Sequence, residues 1–309
     1  MSVSSPGKDP ILSIVLIVRH PEETPDAVLA ALTSETEDLA DGLATETILV
    51  EGRPGASHPS GPLPVRFTRL WRPGLNMPRL KAEGAAAARG QAIAFLEPKA
   101  VPVQGWLRAA LAAIAANPGV LLGGAVVAGS GGAADRAAYA FEYSAFSLTA
   151  LAQGIGKDLP GNNMVLPLAA LRDLCGDILD AEGLNKPFCQ ARLTSSGLAV
   201  VMAPKMAVRI TTHYRLRALL ASRFRYARCY GGTRATLANQ RQLWLYRLAA
   251  PLVPILLLWR HLGAALRATG SDRPGTGALT ALSALCLAWS AGEATGSWAG
   301  PGRACDALY

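Results

Sequence analysis

Residues 92–100, AIAFLEPKA, decide how this chain reads. The apolar run Ala92–Leu96 has the length of a buried strand, and Glu97-Pro98-Lys99 ends it with two charges around a proline, which cannot donate to a sheet ladder. Open α/β sheets bind ligands outside the carboxyl ends of their strands, so this charged corner is the first candidate for chemistry. On its N-terminal side, Ile11–Val18 (ILSIVLIV) is a continuous β-branched run that suits a strand buried on both faces, ending in Arg19 and His20. Pro25–Leu32 reads as a helix with Thr24 as N-cap and proline at its first position. Thr45–Val50 is a second strand running into Glu51 and Gly52, and Val65–Leu70 is a third, half-buried one. The loop 53–64 between them is rich in proline, glycine and serine. Pro78–Arg89 is a helix rich in small residues, suited to close approach to the sheet. Beyond the corner, Gly105–Ala116 predicts an amphipathic helix and Val120–Ala128 another strand. Strands alternating with helices imply an α/β, doubly wound, mostly parallel sheet.

Composition bounds the rest. A chain of 309 residues can bury a full core as one large domain or two smaller ones. With 50% hydrophobic and 17% charged residues it holds more apolar side chains than a soluble domain needs, and the excess lies near the C-terminus. The formal net charge is +8, and much of the surplus is arginine between Arg209 and Arg247. Such a cluster beside an apolar segment reads as membrane-flanking charge; no nucleic-acid-binding motif or aromatic ladder accompanies it. The five cysteines, at 175, 189, 229, 286 and 305, form no CxxC pair and are expected to be reduced packing residues without zinc. The N-terminus, MSVSSPGKDP, lacks a signal-peptide pattern, so the first domain is expected on the cytoplasmic side.

Near the C-terminus, Leu216–Tyr230 is a basic, aromatic helix fitted to a membrane interface or to a cleft. Leu243–Leu266 is apolar, but Arg247 and Arg260 leave a central run of only about half the ~20 residues a span needs, and Pro251 and Pro254 interrupt it. Gly277–Ala291 would be the second pass of a helical membrane hairpin, with Trp289 and Trp298 at an interface and Gly277, Ala281 and Ala284 permitting close packing. The alternative is that both segments lie in the interface plane.

Four passages in this order resemble the family 2 glycosyltransferases, inverting enzymes of the GT-A fold. They are ILSIVLIVRHPEE, TETILVEGRPG, LKAEGAAAARGQAIAFLEPKAVPVQGWLRAAL and GNNMVLPLAALRDLCG. The resemblance runs from Ile11 to about Tyr230. It implies a GT-A-like domain over 1–235, with a donor half of about 1–130 and an acceptor half of about 131–235, followed by membrane-associated helices over 236–309. It further implies a nucleotide-sugar donor, a lipid-linked or polysaccharide acceptor, and a place at the cytoplasmic face of the cell's inner membrane in envelope or exopolysaccharide synthesis. Glu51, Glu97 and Lys99 would hold the donor, and Asn162 and Asn163 would line the acceptor side.

The chain departs from the family pattern at three places. The family's fourth strand ends in an aspartate-any-aspartate triplet whose last carboxylate holds magnesium or manganese; here Lys99 stands at that position. Either its ammonium does the metal's electrostatic work, or it is a solvated loop residue beside a repurposed donor site. The family's Glu-Asp pair, which supplies the base, is matched by Asn185-Lys186, leaving Asp180 and Glu182 upstream as candidates for the base or as loop carboxylates facing water. A histidine that closes the family's metal site is matched by Arg209-Ile210, with His213 nearby. Two readings follow: a membrane-anchored, hexosyltransferase-like enzyme, or an inactive pseudo-glycosyltransferase that scaffolds or regulates partner envelope-biosynthesis enzymes.

Overall fold

A computed structural model of the chain describes residues 9–37, 44–55, 58–59, 61–154, 158–268 and 273–305, so part of the 53–64 loop lies outside the described residues. In chain order the elements are β1 (Leu12–Val18), α1 (Asp26–Glu37), β2 (Thr45–Glu51), β3 (Phe67–Trp71), α2 (Met77–Ala87), β4 (Ala92–Leu96) and β5 (Ala100–Pro102). There follow α3 (Trp106–Ala116), β6 (Leu121–Val127), α4 (Ala133–Glu142), α5 (Leu148–Ala152), β7 (Asn163–Pro167), α6 (Leu168–Glu182), α7 (Lys186–Ser195) and β8 (Val200–Ile210). The chain ends in α8 (Leu216–Leu237), α9 (Gln240–Ala249), α10 (Val253–Arg267) and α11 (Thr276–Ala299). It divides into two compact units, one of residues 1–127 and 150–210 and one of residues 128–149 and 211–309.

The first unit is mixed α/β, built on an eight-stranded sheet of order β3-β2-β1-β4-β7-β6-β8-β5. The pairs β1–β2, β1–β4, β2–β3 and β6–β8 are parallel; β4–β7, β6–β7 and β5–β8 are antiparallel. The expected α/β sheet is present and mostly parallel. Every residue of β1, β2 and β4 is buried, which is why β1 and β4 read as nearly continuous apolar runs, while β2 buries Thr45, Glu46, Thr47 and Glu51 around its apolar centre Ile48–Val50. The core joins Val15, Ile17, Ile48, Val50, Ile93 and Phe95 to Leu80 of α2 and Leu171 of α6. Helix α2 starts at Asn76, whose side chain accepts from the Arg79 amide, with Pro78 in its first turn. Gly84 lets this helix press on β1, since a Cβ there would collide with Val15. Glu35 of α1 caps α3, accepting from the Trp106 and Leu107 amides at 3.0 and 2.6 Å.

The second unit is helical. Its core gathers Ala137, Ala138 and Ala140 of α4, Leu219 of α8, Ala265 of α10, and Ala281, Leu282, Leu285 and Cys286 of α11. One expectation needs correction here. Cys229 and Cys305 are joined in a disulfide, while Cys175, Cys189 and Cys286 are free and buried. The 76-residue separation of the bonded pair is invisible to a search for short cysteine motifs. Helix α11 packs on α10 and also lies along α8, and its Ala278, Ala281, Leu282, Leu285 and Cys286 are buried. Among the described residues, only 240–267 is both long and apolar enough to cross a membrane while remaining largely unburied.

Candidate functional site

The adjacent strands β2, β1 and β4 all end at one edge of the sheet in the first unit, and that edge carries the charged residues singled out above. At the end of β4, Glu97 lies between two ammonium groups, with Lys99 Nζ 3.2 Å from Oε2 and Lys81 Nζ 3.3 Å from Oε1. Burial pushes the Glu97 carboxyl up, but the charges and hydrogen bonds of Lys99 and Lys81 outweigh it and hold the group down at about 2. It is therefore a carboxylate at ordinary pH values. Lys81 comes from the buried side of α2 and also donates to the Gly161 carbonyl at 3.2 Å. It was not picked out from the sequence, because only the packing of α2 on the sheet brings it to Glu97.

The turn before β7 completes the corner. The β4–β7 ladder ends with Leu96 paired to Asn163, and the Gly161 carbonyl accepts from Lys81 Nζ at 3.2 Å, so Asn162 is held between these two points. The two asparagines differ in kind. Asn163 is fully buried; its Nδ2 donates to the Ala125 and Met206 carbonyls at 2.8 Å each, and its Oδ1 accepts from Trp106 Nε1 at 2.9 Å. That amide is saturated by the protein and ties β7 to β6, β8 and α3. Asn162 is 2% exposed, and neither its amide nitrogen nor its amide oxygen has a hydrogen-bond partner among the described residues. A buried amide left so costs about 1–3 kcal/mol, which makes it a candidate ligand group.

At the end of β2, Glu51 is fully buried. Arg53 Nε sits 2.6 Å from its Oε1 and Arg69 Nη2 3.6 Å from its Oε2. The hydrogen bond to Glu51 raises the Arg53 guanidinium above its ordinary value despite burial. Arg53 also donates to the Glu23 carbonyl, and Trp71 Nε1 donates to the Arg53 carbonyl at 3.1 Å, which fixes the loop after β2. Glu51 is thus hydrogen-bonded to Arg53 through Oε1, while its buried Oε2 faces Arg69 without a hydrogen-bond partner among the described residues. At the end of β1, the amides of Arg19 and His20 both donate to Glu23 Oε2 at 3.1 Å.

Asp180 is exposed on the last turn of α6, where the Arg79 guanidinium bonds the Asp180 and Ala181 carbonyls. Glu182 ends that helix, and its side chain lies outside the described residues. Asn185 is the N-cap of α7, and Lys186 Nζ pairs with Asp158 Oδ1 at 2.6 Å. Burial raises the Asp158 carboxyl, but Lys186 more than offsets it, and the group ends below its ordinary value. Val101 pairs with Arg209 across the β5–β8 ladder, and in the second unit His213 Nδ1 lies 3.2 Å from Asp135 Oδ2.

No group of three or more histidine, cysteine, aspartate or glutamate side chains suited to a metal ion occurs among the described residues. At the corner itself the Glu97 carboxylate is bonded to two ammonium groups. A divalent cation that seeks several oxygen ligands does not fit this set.

No protein-family model matches the sequence, and no curated protein matches it. Among solved structures, the chain is similar to a mannosyltransferase, PcManGT from Pyrobaculum calidifontis, in complex with GDP-Man and Mn2+. The identity is 13% and the TM-score 0.46, over 97% of this chain and 79% of that one. It is also similar to residues 1–349 of TarS from S. aureus, at 12% identity and TM-score 0.44, over 92% and 90% of the two chains. A third is GalNAc-T7 with UDP, GalNAc and Mn2+, at 13% identity and TM-score 0.46, where 67% of this chain covers 44% of that one.

Proposed function

We propose that the first unit is a GT-A-like glycosyltransferase domain that takes a nucleotide-sugar at the edge formed by β2, β1 and β4. It would pass the sugar to a lipid-linked or polysaccharide acceptor at a membrane to which residues 240–267 attach the chain. The observation that carries this reading is the corner where Glu97 holds Lys81 and Lys99 together beside the unpartnered amide of Asn162. A nucleotide diphosphate needs opposing positive charge, and two ammonium groups fixed by one carboxylate supply it as point charges in a partly dry site. Glu97 is then the residue that positions the lysines rather than one that touches the donor. In the inverting displacement the acceptor oxygen attacks the anomeric carbon, and the bond to the phosphate oxygen breaks with its electron pair. The lysines neutralise the charge left on the diphosphate. Asp180 and Glu182 remain the candidates for the group that takes the acceptor proton.

A second reading is favoured by Asn185 and Lys186, which stand where the family's base pair belongs; neither is a carboxylate, and Lys186 is held by Asp158. In that reading the domain binds a donor, or a partner enzyme of the same pathway, without turning it over.

Titration calorimetry of the full chain with UDP-, GDP- and dTDP-sugars, with manganese and with chelator, tests the proposal. Saturable binding is expected with one donor, unchanged by chelator and weakened about tenfold or more by Lys99→Ala. No heat with any donor sinks the donor reading; a strict need for manganese, or an unaltered Lys99→Ala affinity, sinks the lysine clamp alone. Release of nucleoside diphosphate from the bound donor separates the enzyme from the scaffold.

A further inference from the structure

Residues 240–267 form a helical stretch in which a short turn at Ala250–Leu252 links α9 to α10. Its length and composition match a bilayer-spanning helix, but the fold of the second unit opposes that. Helix α8 precedes this stretch and α11 follows it, so a single crossing would put them on opposite sides of the membrane. Yet α8 and α11 are packed along each other. Gly292 and Gly296 of α11 meet the carbonyls of Phe224 and Arg228 so closely that a Cβ at either would collide with them. Arg234 Nη2 lies 2.6 Å from Glu293 Oε1. The Cys229–Cys305 disulfide ties α8 to the segment after α11. Both ends of 240–267 therefore emerge on one side. A two-pass hairpin fails for a companion reason: if α11 crossed, α8 beside it would carry Arg217, Arg223, Arg225, Arg228 and Arg234 into the hydrocarbon.

The two faces of 240–267 also differ as those of a surface helix do. Leu257, Leu258, Leu262 and Ala265 face inward to the core shared with α4 and α11, and Arg247 Nε donates to the Ser297 carbonyl at 3.1 Å. The opposite face is a stripe of Leu245, Leu248, Leu252, Ile255, Leu256 and Trp259, each more than half exposed, with Trp244 at its edge, where its ring meets Trp298 of α11 edge-on at 6.3 Å. Exposed Arg241 stands at one end of the stripe, with Arg260 and Arg267 at the other. A spanning helix would be apolar all round; a helix with one face docked on protein and the other apolar, bounded by tryptophan and arginine, is shaped for the boundary of headgroups and acyl chains.

We propose that residues 240–267 lie in the plane of a single leaflet of an anionic membrane, attaching the chain from one side without crossing. The stripe from Trp244 to Trp259 enters the acyl boundary, and Arg241, Arg260 and Arg267 pair with anionic headgroups. This rests on the membrane attachment proposed above and is independent of the sugar chemistry of the first unit. The arginines at both ends of the stripe are what select a lipid surface over a second copy of this chain, since two such faces brought together would oppose like charges.

Two experiments with the full chain test this. In flotation with vesicles of phosphatidylcholine, with and without phosphatidylglycerol, the chain is expected to bind both, about tenfold more tightly where phosphatidylglycerol is present. Leu252→Ser with Trp259→Ser should weaken both by about tenfold or more while leaving thermal melting unchanged, because these side chains touch solvent. In membranes from expressing cells, Gln240→Cys and Arg273→Cys, flanking the stretch, should react with an impermeant maleimide in the same vesicle orientation. Reaction in opposite orientations would overturn the in-plane placement while keeping membrane attachment. Absence from every vesicle, with or without self-association in sedimentation, would overturn attachment itself.

Discussion

Glu97 carries two roles that the sequence shows only in part. As the carboxylate that ends β4 it is plain from AIAFLEPKA, and so is Lys99 two residues on. Lys81, sixteen positions earlier, is not legible, because its approach depends on how a helix packs rather than on any local pattern. The same holds for Arg53 and Arg69 around Glu51, and for the saturated amide of Asn163, which a linear reading cannot tell from its neighbour Asn162. The two lysines make Glu97 a pH-dependent stabiliser. Its folded value of about 2 lies below the ordinary 4.5, so its contribution is fully present above pH 4.5 and is lost as pH falls towards 2. Glu97→Gln leaves both ammonium groups against an uncharged amide. It should cost about 3 kcal/mol near neutral pH and remove this group's share of the acid limb. Urea unfolding as a function of pH checks this; parallel acid limbs in wild type and Glu97→Gln would refute it.

At the scale of elements, the strands were legible where burial is complete and less so elsewhere. β1 and β4 have no solvent face and are nearly all apolar, so composition reveals them; β2 is equally buried but only Ile48–Val50 is apolar, and β3 is half-buried and begins at Phe67 rather than Val65. The antiparallel insertion of β7 between β4 and β6 has no local signature, since strand direction is set by connection and not by side chains. Helix α11 was read correctly as apolar, but a periodic apolar face does not name its partner. The glycines do: Gly292 and Gly296 on α11, with Gly231 and Gly232 on α8, mark where backbones come together. Gly296→Val would drive a side chain into the Arg228 carbonyl and the Gly232 amide, an overpacking expected to cost about 3 kcal/mol or more. Gly277→Ala on the same helix would meet only the Ala133 methyl at 3.4 Å and should be close to neutral. Thermal melting of the two variants compares them directly, and equal shifts would refute the close α8–α11 contact.

For the whole molecule, the net charge of +8 and the exposed apolar stripe act on a membrane in different ways, and salt separates them. Attraction between arginine and anionic headgroups is screened within a Debye length of about 8 Å at physiological ionic strength, and of about 3 Å near 1 M salt. Burial of the stripe in the acyl boundary is not weakened by salt. Raising ionic strength should therefore lower affinity for phosphatidylglycerol-containing vesicles until it meets the affinity for pure phosphatidylcholine, a fall of about tenfold, and then stop. Affinity for the neutral vesicles should stay level throughout. Composition made the apolar stretch and the charge legible, but not how the stretch lies, because one as long as 240–267 satisfies the length rule for a span whichever way it runs. What opposes a span in the proposal above is the tertiary pairing of α8 with α11 and the disulfide over a separation of 76 residues. If salt released the chain completely from both kinds of vesicle, the stripe would contribute nothing and the arginines alone would hold the protein. A plateau equal to the neutral-vesicle affinity requires that the apolar face of α9 and α10 be inserted.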